Sequence, residues 1–128
     1  MSTTVAEVRQ LKEGRYVVVD NEPCKILSIS TSKPGKHGSA KARVDCIGLF
    51  DNNKRTLVAP VTERVQIPLI DRRQAQVISV QGDVVQLMDM GTYETFELPI
   101  VDDVRAGLDP GKEISYLEAM GRKMITRV

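Results

Sequence analysis

An all-β protein made of two small barrels is the fold this sequence predicts, and three observations predict it. About ten short runs rich in β-branched residues follow one another at even spacing, divided by turn residues, with almost no helical pattern. The strand pattern restarts after Asp71-Arg72-Arg73. The charge balance changes at the same place: residues 1–71 carry 11 basic and 8 acidic side chains, a net +3, and residues 72–128 carry 7 and 9, a net −2. A chain of 128 residues has room for two such units, residues 1–71 and residues 72–128.

In the first half, residues 15–20 (RYVVVD) and 23–30 (PCKILSIS) read as strands joined by the turn chemistry of Asp20-Asn21-Glu22. Residues 41–50 (KARVDCIGLF) begin with alternating character and turn at Asp51-Asn52-Asn53 into residues 54–59. Residues 65–69 follow, and Pro68 marks them as an edge strand because it cannot donate to a ladder. In the second half, residues 74–80 and 84–90 form a hairpin across Gln81-Gly82-Asp83, and residues 93–98 add a strand. Residues 101–105 can form one helical turn, and Asp109-Pro110-Gly111-Lys112 is a strong turn. Residues 114–120 and 123–128 close the chain as a hairpin bending at Gly121-Arg122.

With no Trp and 4% aromatic residues, Leu, Ile, Val and Met must fill both cores. Phe50, Phe96 and the tyrosines Tyr16, Tyr93 and Tyr116 are the only large rings. Tyr93, Phe96 and Tyr116 are few for a base-stacking platform, and some or all of them read as core or packing residues. Cys24 and Cys46 sit in apolar stretches and read as reduced, buried thiols; with one distant histidine they do not make a zinc site. There is no apolar run able to span a bilayer and no leader at residues 1–10, so a cytosolic protein is expected.

The chemistry concentrates in residues 31–43, TSKPGKHGSAKAR. This loop between two strands holds Lys33, Lys36, Lys41, Arg43 and His37, with no acid. The first half's excess of +3 is no larger than these four charges, which argues for one contact point on an anion rather than a wholly basic surface. Gly35 and Gly38 flank Lys36-His37, allow a sharp bend and clear space for a long amine, while Pro34 stiffens the approach. Lys33, Lys41 and Arg43 suit positioning contacts to phosphates. An ordinary solvated hairpin tip is the competing reading of the same residues.

Enzyme motifs are missing. Gly35-Lys36 is followed by His37 and then by a strand, whereas a P-loop needs Gly-Lys-Ser/Thr opening a helix. No HExxH, GxSxG or CxxC occurs. A ribonuclease using His37 lacks a second histidine or an obvious paired base.

SKPGKHGSAKAR closely resembles the modification loop of the hypusine-containing translation factors, the initiation factor 5A family. CKILSIS, LFDNNKR, RRQAQVIS, LMDMGTYETFELP and EAMGRKMI resemble the same family, so the likeness runs from about residue 9 to the C-terminus. Pro34 and Ser39, where eukaryotic members usually carry Thr and His, resemble the archaeal branch. The bacterial relative, elongation factor P, has a third domain for which this chain is too short. The resemblance implies an SH3-like N-terminal domain (1–71) and an OB-fold C-terminal domain (72–128). It implies that Lys36 receives an aminobutyl group from spermidine through a separate deoxyhypusine synthase, leaving deoxyhypusine or, after hydroxylation, hypusine. No cofactor beyond that covalent group is expected. It further implies a non-enzymatic factor; a monomer is the default expectation, with the oligomeric state left open by the sequence. Such a factor binds the ribosome near the exit site and points this side chain at the peptidyl-tRNA, favouring peptide-bond formation at proline runs. The alternative is an RNA-binding module that works without lysine modification.

Overall fold

The computed structural model describes residues 2–32, 40–101 and 105–128 of the chain. The described residues form strands almost throughout. They divide into two compact units, Met1–Leu69 and Ile70–Val128. The division falls slightly before the expected boundary, because Asp71-Arg72-Arg73 is the start of a strand and not a linker.

The first unit has six strands: β1 (Thr3–Glu7), β2 (Tyr16–Val19), β3 (Glu22–Ser32), β4 (Lys41–Gly48), β5 (Lys54–Pro60) and β6 (Arg64–Pro68). β2, β3, β4 and β5 make one antiparallel sheet in chain order, while β1 pairs with β6 in a second. β1 and the following 3-10 turn (Val8–Gln10) are additions to the strand list expected from sequence. The turn is pinned from outside, since Val8 N–H donates to Glu63 O (2.9 Å) and Arg9 N–H to Val61 O (2.9 Å). Among the described residues β6 pairs only with β1, as Pro68 at an edge requires. The β2–β3 turn has two residues, Asp20 (φ 54°) and Asn21 (φ 63°), the left-handed pair that matches the twist of a tight hairpin.

The first core is aliphatic. Val8, Val17, Cys24, Ile26, Val44 and Cys46 are its most completely buried members, with Leu57, Val65 and Ile67 packed around them. Both cysteines are free thiols, as expected. Burial raises both: it pushes Cys46 up to about 12, helped by the neighbouring Cys24, and it raises Cys24 less. Neither thiol is a nucleophile at neutral pH.

The second unit is one five-stranded antiparallel sheet. Its strands are β7 (Asp71–Gln81), β8 (Val84–Asp89), β9 (Thr95–Pro99), β10 (Glu113–Ala119) and β11 (Arg122–Arg127), in the order β11-β10-β7-β8-β9. Its core is Ala75, Val77, Val85, Leu87, Ile114 and Tyr116, closed by Ile100 and Leu108. The last hairpin turns at Met120-Gly121, one residue before the expected bend, because Ala119 already pairs with Arg122. Residues 102–104 of the expected helical turn lie outside the described residues.

One packing expectation changes, that methionines help fill the cores. None of the described methionines is buried; Met90 is exposed, and the cores are filled by Val, Ile, Leu, Ala, Cys and one tyrosine. Of the three second-half rings, Tyr116 is buried and Phe96 packs on it at 4.9 Å, but Tyr93 is 72% exposed. Tyr93 sits at φ 64° in the β8–β9 turn, so the turn's backbone and not the apolar pattern decides where the ring goes.

Candidate functional site

The long strands β3 and β4 form the hairpin that carries the basic loop. They stay paired up to Ser32 opposite Lys41, and residues 33–40 connect them. A bond from Val61 N–H to Ala40 O (3.0 Å) ties the far end of this connection to the β5–β6 turn. The loop's roots are therefore fixed on three strands. Lys33, Pro34, Gly35, Lys36, His37 and Gly38, singled out from the sequence, lie outside the described residues.

Lys41 and Arg43 are described. Both are exposed, while Ala42, Val44 and Cys46 between and beyond them are buried. The period of two thus puts the two cations on the outward face and the apolar residues in the core. Register places Ser32, Lys41 and Pro60 in one row across β3, β4 and β5, and Ser30, Arg43 and Val58 in the next.

A bulge in β3 sets which side chains reach this face. Ile26 pairs with Cys46 and Ser28 with Asp45, so Leu27 is an extra residue with no partner. Strict alternation from Ile26 would send Ser28 and Ser30 inward. The bulge instead lets Ile26 and Ile29 both face the core and turns Ser28, Ser30 and Ser32 outward beside Asp45, Arg43 and Lys41.

Arg43 is not a free cation. Its Nε donates to Asp45 Oδ1 (3.3 Å). Asp45 also accepts from Thr56 Oγ1 (2.8 Å) on β5 and Ser28 Oγ (3.3 Å) on β3. The Thr56 hydroxyl, with Arg43 and Ser28, holds the Asp45 carboxyl below the usual carboxylate range. Asp45 therefore crosses three strands and restrains the Arg43 guanidinium. The sequence carried a signal for this contact, because Arg43 and Asp45 are two apart on a strand and must share a face. Among the described residues no three His, Cys, Asp or Glu side chains gather as metal ligands.

The same chain pattern is found in known proteins. A family model described as translation initiation factor 5A-like, N-terminal, matches residues 1–63. A second, described as eukaryotic elongation factor 5A hypusine, DNA-binding OB fold, matches residues 69–128. Translation initiation factor 5A of Archaeoglobus fulgidus is 57% identical over 122 residues, which is 95% of each chain. The chain belongs to the translation initiation factor 5A family.

As a member it is a translation factor with the family's hypusine domain, and the family is not one of enzymes. Its second unit is the OB fold. The match starts at residue 1, earlier than the resemblance read from sequence, and so takes in β1. Translation initiation factor 5A of Methanothermobacter thermautotrophicus is 56% identical over 127 residues, 99% of this chain and 98% of that one. Among solved structures, the protein from Methanococcus jannaschii superposes with a TM-score of 0.90 at 52% identity, covering 98% of this chain and 94% of that one. A translation initiation factor eif-5a family protein from Naegleria fowleri gives a TM-score of 0.83 at 31% identity, covering 99% and 98%. No helix among the described residues is long and apolar enough to cross a membrane.

Proposed function

We propose that this factor works on the ribosome through Lys36, carrying a spermidine-derived aminobutyl group added by a deoxyhypusine synthase. The modified side chain acts near the exit site, against the acceptor end of the peptidyl-tRNA. It promotes peptide-bond formation, most of all at proline runs. The first unit is the SH3-like domain that presents the loop. The observation that carries this reading is the hairpin itself, whose eight-residue connection between Ser32 and Lys41 is anchored at its far end by the Val61–Ala40 bond.

The chemistry is positional. A lengthened stem with a second amine extends both the reach and the charge of Lys36, and a fixed hairpin lowers the entropy lost when that amine meets an anion. Lys41 supplies an outward charge at the loop's root, with Lys33 and His37 inside the loop and the restrained Arg43 behind it. Gly35 and Gly38 give clearance around the amine, and Pro34 limits the approach.

A Lys36→Arg variant tests this directly, because arginine keeps the charge but cannot accept the aminobutyl group. The variant is expected to bind ribosomes and to lose the stimulation of proline-run synthesis. Full stimulation by Lys36→Arg would favour the RNA-binding module that needs no modification.

A further inference from the structure

In the first unit a groove of about 430 Å³ opens between the β1–β6 ladder and the start of β2. Leu11, Ile67 and Pro68 give it an apolar floor, and the half-buried Tyr16 adds a ring. Lys12 and Arg15 line its rim, and no carboxylate lines it. Lys12 and Arg15 stand with the exposed Glu13 on one turn, flanked in the chain by Leu11 and Tyr16, and Ile67 and Pro68 stand on β6, so the groove combines apolar side chains with two exposed cations.

The walls are fixed by backbone bonds. Arg15 N–H donates to Lys12 O (3.1 Å), closing the turn, and Gly14, at φ 82°, donates to Ile26 O (2.9 Å). Ile26 N–H returns a bond to Arg15 O (2.8 Å). The cationic turn is thereby stitched to β3.

We propose that this groove binds one nucleotide of an RNA strand, with the base against Tyr16, Ile67 and Pro68 and the phosphate against Lys12 and Arg15. A groove of this volume is at the small end of ligand sites and too small for a helix. A ligand with a flat apolar part and an anionic part matches a groove lined by apolar side chains and two exposed cations. Base–aromatic stacking supplies affinity without sequence readout, and the cations supply a salt-dependent contribution. The choice of RNA over an acidic peptide rests on the reading of this chain as a factor that acts against RNA on the ribosome. None of its lining residues belongs to the stretch 31–43, so it gives the first unit a second hold on RNA.

The test is an NMR titration of the whole chain, free of ribosomes, with adenosine 5′-monophosphate, with inorganic phosphate, and with an acidic peptide. The nucleotide is expected to shift the Ile67 and Ala6 methyls and the Tyr16 ring in one saturable process. Phosphate alone should shift only the Lys12 and Arg15 signals. Arg15→Ala or Lys12→Gln should weaken nucleotide binding about tenfold, the loss of roughly one charge-assisted contact, while leaving the remaining spectrum in place. Unmoved Ile67 and Tyr16 signals in the presence of nucleotide overturn the proposal. So does a peptide that moves them where the nucleotide does not. Binding is read on the isolated protein, so this result is independent of what Lys36→Arg does to translation.

Discussion

Among the described residues of the second unit Asp89 is the buried charge, at 2% exposure, and its surroundings explain why it is tolerated. Tyr116 Oη donates to Asp89 Oδ2 at 2.5 Å, and the N–H groups of Gly91 and Thr92 donate to Oδ1 at 2.7 and 2.8 Å. Arg73, itself bonded to Asp71, lies 3.7 Å from the same carboxylate. Led by the Tyr116 hydroxyl, these donors outweigh burial and hold Asp89 at about 2, while burial and Asp89 raise the Tyr116 phenol. The folded carboxyl is thus more acidic than its unfolded form at about 3.9. Its stabilisation is complete above that value and is lost as pH falls through about 2. Tyr116→Phe should destabilise the protein by about 1–3 kcal/mol, the range for a buried charged group losing a donor. It should also flatten acid unfolding between about pH 4 and 2. Thermal melts of both proteins across that range are the check, and equal pH dependence would contradict the account. At the loop's root, Lys41 and Arg43 face the same way but differ in what they can give to a phosphate. Lys41→Ala should lower the salt slope of ribosome binding by about 0.7–0.9. Arg43→Ala, already engaged with Asp45, should lower it by less; equal effects in binding assays at several salt concentrations would contradict this difference.

At the scale of elements, the two longest strands share one device. β3 and β7 each run eleven residues, and each carries a bulge, at Leu27 and at Ile78. Leu27 is 47% exposed and Ile78 is 41% exposed, although Ile26 and Val77 before them are 1% exposed. An extra residue adds local twist and bend, which lets one long strand follow a curled sheet. Ile26→Ala should therefore cost about 2–5 kcal/mol, the range for emptying a well-packed aliphatic site. Leu27→Ala should cost much less, within about 1 kcal/mol of neutral. Denaturant titration of both variants distinguishes the neighbours, and similar losses would show that Leu27 packs as Ile26 does. The strands and tight turns were legible in the sequence because Asp20-Asn21 and Gly82-Asp83 have turn chemistry and the flanking runs are β-branched. The bulges were not, since KILSIS reads equally well as one unbroken strand. β1 was hidden for another reason. Thr4 and Val5 leave their side chains largely in solvent, so the pairing with β6 rests on backbone bonds rather than on an apolar stripe.

At the scale of the molecule, the chain is two small all-β units with separate aliphatic cores. The absence of Trp and the scarcity of aromatics foretold such cores, but none of the described methionines is fully buried in them. The sequence signal for the candidate site is the basic, glycine-flanked loop and its family likeness, and of the cations it singles out the structure describes Lys41 and Arg43. Its Asp45 network was not read, because Ser28 and Thr56 come from different strands and only register brings them to Asp45. The central claim of the proposed function is that Lys36 is modified. The most direct measurement is the intact mass and peptide map of protein purified from its native host. The account predicts an added aminobutyl group, with or without a hydroxyl, on the peptide containing Lys36. Unmodified Lys36 in protein that is active on ribosomes would contradict it.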